Sequence, residues 1–79
     1  MGLNRLLTRY DPKKVGVLVR HMRTVAGLSQ GGLGKAVNKD RSSISHIESG
    51  THTVSLEDLM CAAEACGFEL CVSVSRKVK

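Results

Sequence analysis

The residues best equipped for directed chemistry lie between Gly27 and Gly50, in GLSQGGLGKAVNKDRSSISHIESG. Arg41, Ser42, Ser43, Ser45 and His46 follow one another almost without interruption. A guanidinium donates a planar fork of hydrogen bonds, a hydroxyl donates and accepts, and an imidazole does either according to its tautomer. Ile44 and Ile47 stand three residues apart within this run. That is the spacing of an inward helical face. Arg41, Ser42, Ser45 and His46 are then left facing outward, a display of donors and acceptors too polar to be only structural.

Catalysis fits this set poorly, and no catalytic residue is assigned. Serine, histidine and carboxylates occur, but there is no nucleophile elbow and no metal-ligand spacing. Gly31, Gly32 and Gly34 follow a helical pattern rather than a strand, the wrong context for a glycine-rich phosphate cradle. Cys61, Cys66 and Cys71 are odd in number and lack the paired C-x-x-C spacing of a zinc site. Two of them fall in apolar pattern, so they are expected to be buried free thiols in a reducing compartment. Neither metal nor cofactor is expected.

The charge distribution points to a polyanion. Residues 1–41 carry nine Lys or Arg against Asp11 and Asp40, a net charge of +7, whereas residues 42–79 carry three basic and five acidic residues, a net of −2. A basic front half is what a polyanion-binding face needs, although solvation alone would also account for it. RNA is the less favoured polyanion, because Tyr10 and Phe68 are the only aromatics and stacking platforms are absent. No secretory leader and no membrane-length apolar run is evident, so the expected location is the cytoplasm, on the nucleoid.

The elements that must position the polar face follow from periodicity. Residues 1–10 read as a basic arm or a short helix carrying Leu3, Leu6, Leu7 and Tyr10. Asp11-Pro12 is a helix start. Val15, Leu18, Val19, Met22 and Val25 or Ala26 form its expected buried stripe, and Gly27 its stop. Ser29 caps a second helix with Leu33, Ala36 and Val37 inward. Its interior glycines each cost roughly 1 kcal/mol against Ala. Asn38-Lys39 make a turn, Asp40 caps the third helix, and Gly50 ends it. Ser55 with Asp58 opens a fourth helix expected to bury Leu56, Leu59, Met60, Ala63 and Cys66. After Gly67 the period changes to two, with Phe68, Leu70, Val72 and Val74 alternating with polar or small residues. This predicts a strand over 68–75 whose simplest partner is the same strand of a second copy. Residues 76–79 form a basic tail. In all, 79 residues make a single small core that a partner would help to stabilise.

Gly27-Leu28-Ser29-Gln30, Leu33, Gly34, Val37, Ser42, Ile44, Ser45, Ile47, Glu48, Gly50 and Ser55-Leu56 resemble the helix-turn-helix of the Cro and lambda-repressor (XRE) family. The likeness spans residues 15–67, and the S-x-x-I-S-x-I-E-x-G run is its specific part. Gly31 and Gly32 depart from the family pattern, which has acidic or long polar residues there. The C-terminal strand is similar to that of HipB-type antitoxin repressors. The resemblance implies an all-α helix-turn-helix domain of four to five helices over 11–67, lambda-repressor-like, with one C-terminal β-strand pairing across a dimer.

The function implied is that of a sequence-specific DNA-binding regulator, a homodimeric repressor reading a palindromic operator through the helix at 41–49. The alternative is an antitoxin that also neutralises a toxin protein. Base contacts fall to Arg41, Ser42, Ser45 and His46, since the first turns of a recognition helix enter the major groove. The resemblance gives Gln30 a phosphate contact. Lys39, Ser43, Thr51, His52 and Thr53 flank the face as further phosphate contacts. It also implies a structural ion pair between Arg23 and Glu48, which takes Glu48 off the reading face. Phe68, Leu70, Val72 and Val74 are the expected dimer interface.

Overall fold

The computed structural model describes residues 11–76. The expected arm at 1–10, with the possible fifth helix, and residues 77–79 of the expected tail lie outside them. Four helices make up the described fold: α1 (Pro12–Val25), α2 (Gln30–Ala36), α3 (Arg41–Ser49) and α4 (Leu56–Ala65). Each begins at a side chain that satisfies backbone N–H groups the helix leaves free. Asp11 accepts from the Lys13 and Lys14 amides, Ser29 from Gly32, Asp40 from Ser43 and Ser55 from Asp58. Asn38, with φ of 60°, turns the chain between α2 and α3.

α3 packs between α1 and α2, and α4 closes the other side of the core against both. Val19, Met22, Leu33, Ile44, Ile47, Ala62, Ala63 and Cys66 are buried together, flanked by half-buried Val15, Leu28, Val37, Leu59, Phe68 and Leu70. Burial pushes the Cys66 thiol pKa up. Cys61 and Cys71 are exposed, so only one of the three thiols is enclosed.

Three helical faces are rotated from their expected orientation. In α1, Leu18 and Val25 are 40% and 61% exposed, and Ala26 is exposed too. The stripe instead runs through Gly16, Val19 and Met22. Gly16 is the reason: a Cβ there would collide with the Ile47 and Glu48 carbonyl oxygens, so the backbones of α1 and α3 touch at that residue. A side-chain count gives glycine no weight, yet it sets the inward direction. In α4, Leu56 and Met60 are 54% and 47% exposed, and Ala62 takes the inward place. Small Ala62 and Ala63, with Cys66, form the buried face of this end of the fold, and the longer Leu56 and Met60 fall outside it. In α2, Ala36 is exposed, while Leu33 and Gly34 are buried.

From Phe68 to Arg76 the chain has no regular secondary structure, and no strand ladder forms among the described residues. A ladder requires a second strand, and none stands beside this segment among the described residues. Phe68 and Leu70 lean on the core of their own chain, with the Phe68 ring 6.4 Å from that of His21. Val72 and Val74 are 60% and 94% exposed. No helix of the described residues is long and apolar enough to cross a membrane.

Candidate nucleic-acid interface

The outward face of α3 is held from both ends. At its N-terminus the Asp40 carboxylate accepts from the Ser43 amide at 2.8 Å and the Ser42 hydroxyl at 3.1 Å. The Ser43 amide above all, then the Ser43 and Ser42 hydroxyls, hold the Asp40 carboxyl below its usual pKa. At its C-terminus Gly50 takes φ of +80°, and the chain folds back so that Thr51 N and Thr51 Oγ1 both donate to the His46 carbonyl at 3.1 Å. His46 Nδ1 lies 3.3 Å from Thr51 Oγ1, and its ring is 4.5 Å from that of His52. The His46 ring is therefore oriented by the loop that follows the helix.

Beneath this face is an ion pair. Arg23 Nε donates to Glu48 Oε2 at 2.6 Å and Arg23 Nη2 to Oε1 at 3.1 Å. The third guanidinium nitrogen, Nη1, donates to the Leu28 carbonyl at 2.9 Å. The two side chains are only 13% and 5% exposed. The pair thus ties α3 to α1 and to the loop before α2. Gln30 extends it, donating from Nε2 to Glu48 Oε1 at 3.2 Å. The hydrogen bond to Glu48 also raises the Arg23 pKa and keeps it charged.

Arg41, Ser42, Ser45 and His46 are all exposed, and with Gln30 and Asp40 they line one open cleft of about 390 Å³. The residues assigned to base contact are thereby brought together, with Gln30 at their edge. Thr51 and His52 adjoin through His46, and Thr53 is exposed. Ser43 is half-buried and turned to its cap. Lys39 is drawn away: its ammonium lies 3.0 Å from Asp58 Oδ2, tying the turn to α4. Sequence reasoning missed Arg20 and Ser49. With Arg23, Gln30, Ser45 and Glu48 they line a second cleft between α1 and α3. The available signal was Arg20 standing one helical turn before Arg23. Among the described residues no group of three or more His, Cys, Asp or Glu side chains could hold a metal ion.

Two short helices are joined by a tight turn, and the second presents an open polar face. A model of the helix-turn-helix domain matches residues 14–72. The chain belongs to the helix-turn-helix domain family. Two solved structures are similar to this helix-turn-helix chain. The restriction-modification controller protein C.AhdI from Aeromonas hydrophila is 37% identical, with a TM-score of 0.70 over 75% of this chain and 86% of that one. The clp gene regulator ClgR from Corynebacterium glutamicum is 25% identical, with a TM-score of 0.72 over 76% of this chain. The chain spans 64% of the length of that ClgR structure. Comparison with curated proteins gives no match.

Proposed function

We propose that this helix-turn-helix protein is a sequence-specific DNA-binding transcriptional regulator, a homodimeric repressor that reads a palindromic operator through α3. The observation that carries this reading is the exposed cluster of Arg41, Ser42, Ser45 and His46 on a helix whose inward side is pinned by Ile44, Ile47 and the Arg23–Glu48 pair. A helix presenting exposed donors and acceptors is what a major groove admits. The similarity to ClgR, described as a clp gene regulator, and to C.AhdI, described as a controller protein, supports a regulatory role.

In this reading Arg41 forms a forked pair of hydrogen bonds to guanine, a contact worth roughly 1–3 kcal/mol of discrimination. Ser42 and Ser45 specify less, because a hydroxyl both donates and accepts. His46 is oriented by Thr51 and reaches a base edge or a phosphate. Gln30 has one amide hydrogen committed to Glu48 and a second free for the backbone. Ser43, Lys39, Thr51, His52 and Thr53 supply phosphate contacts, and Lys39 must release Asp58 to do so.

The segment 68–75 pairs antiparallel with its copy as a strand. Phe68 and Leu70 anchor the base of the segment to the core, and exposed Val72 and Val74 remain for the partner. Two copies then set α3 in successive major grooves roughly 34 Å apart. A duplex enriched from a random pool, titrated with the full chain and with Arg41→Ala, tests the assignment. The variant loses roughly 10–100-fold in affinity for the enriched duplex and much less for a scrambled one. Equal affinity of both proteins for the enriched duplex would overturn it.

A further inference from the structure

The second cleft, about 250 Å³ between α1 and α3, is not accounted for by base reading. It contains two arginines and one glutamate, but their charges are not equally available. Arg23 donates from all three guanidinium nitrogens, to Glu48 and to the Leu28 carbonyl, and Glu48 is matched by that pair and by Gln30. The Ser49 hydroxyl is likewise engaged, with the His46 carbonyl and Thr51. Arg20 differs. Its side chain is exposed and has no hydrogen-bonding or ionic partner among the described residues; only its backbone carbonyl accepts, from Thr24. The net charge left to the cleft is therefore that of one free guanidinium. Ser45, exposed and also unpartnered among the described residues, and the spare amide hydrogen of Gln30 supply neutral donors beside it.

We propose that this cleft seats a phosphate of the DNA backbone, with Arg20 as its cation and Ser45 and Gln30 as flanking donors. The inference rests on DNA binding through α3. It is the position of Arg20 on α1 that favours a phosphate over a base. The groove admits one helix, α3, while neighbouring elements meet the sugar-phosphate walls that border it. Gln30 and Ser45 line both clefts, so they form the ridge between them. A backbone strand crossing the ridge meets Arg41 on one side and Arg20 on the other. Arg20 thus fixes register along the groove without reading sequence.

The test is a salt series by fluorescence anisotropy. The full chain, Arg20→Ala and Arg20→Lys are titrated against an enriched duplex and a scrambled duplex. Arg20→Ala weakens binding to both duplexes by the same factor, about 3–10-fold, and lowers the salt slope by about 1. Arg20→Lys recovers most of the slope, since a lysine still neutralises one phosphate. Thermal melts of the variants match the parent, because Arg20 supports no packing. Unchanged affinity and slope in Arg20→Ala, with the parent binding normally, overturn the phosphate seat and leave α3 reading intact. A loss confined to one base pair of the enriched duplex also overturns it, in favour of a base contact. Failure of the parent to bind any duplex removes both readings together. Inorganic phosphate alone gives no saturable change in the Arg20 side-chain resonance; tight, Arg20-dependent saturation would identify a free anion as the ligand instead.

Discussion

Three arginines within reach of α3 have different fates. Arg23 is consumed by the scaffold, while Arg20 and Arg41 are free in the two clefts. Glu48→Ala would leave the Arg23 guanidinium nearly enclosed and without its partner. That costs about 3 kcal/mol, which in a chain of this size lowers the melting temperature by on the order of 15 °C. An apolar pair, Arg23→Met with Glu48→Leu, recovers much of that stability, because it removes both charges at once. A circular-dichroism melt of Glu48→Ala within a degree or two of the parent would show the pair to be dispensable. Asp40 gives a pH signature. Its carboxyl is held below the usual range, first by the Ser43 amide, so its contribution is present above the unfolded-state pKa. It is lost as pH falls through the lowered folded value, in the region below about pH 4. Asp40→Asn keeps a capping oxygen that does not titrate. Acid melts of this variant therefore lack the part of the decline that Asp40 contributes.

At the level of elements, glycine decides more than the apolar pattern does. Gly34 sits where a Cβ would lie 2.5 Å from the Lys39 carbonyl oxygen, so Gly34→Ala pushes the turn off α2 and destabilises. Gly31 is the opposite case. A Cβ there meets nothing closer than Ser29 Oγ at 4.0 Å, so Gly31→Ala raises stability by about 0.5–1 kcal/mol. Denaturant titration separates the two, and a stability loss in Gly31→Ala would contradict this account of α2. Nothing in the packing explains why glycine stands at Gly31. The contrast marks what a sequence can convey. Capping residues, turn positions and the Ile44–Ile47 face were legible because each depends on local chemistry and spacing. The outward positions of Leu18, Leu56 and Met60 were not, because closeness of two backbones at Gly16, or burial of α4 on small Ala62 and Ala63, is a tertiary property. The Arg23–Glu48 connection came from family resemblance, not from spacing. Arg20 was invisible because exposure of a helical arginine is ordinary until a second element is packed beside it.

Taken as a whole molecule, the chain concentrates positive charge before residue 42 and leaves Val72 and Val74 uncovered at the other end. In the proposed dimer these valines meet their copies, so Val72→Lys with Val74→Lys sediments as a monomer. Its affinity for a palindromic duplex falls by more than about 10-fold, because two linked α3 helices no longer bind together. Identical sedimentation of variant and parent would remove segment 68–75 from the interface.

Reading of DNA by α3 is tested by selecting bound duplexes from a random pool with the full chain and with Arg41→Ala. Reading by paired α3 helices enriches a motif of two inverted half-sites centred about 10–10.5 base pairs apart, or a multiple of that. A guanine preference in each half-site disappears with Arg41→Ala. No enrichment, or the same motif at the same strength from both proteins, would contradict reading by α3.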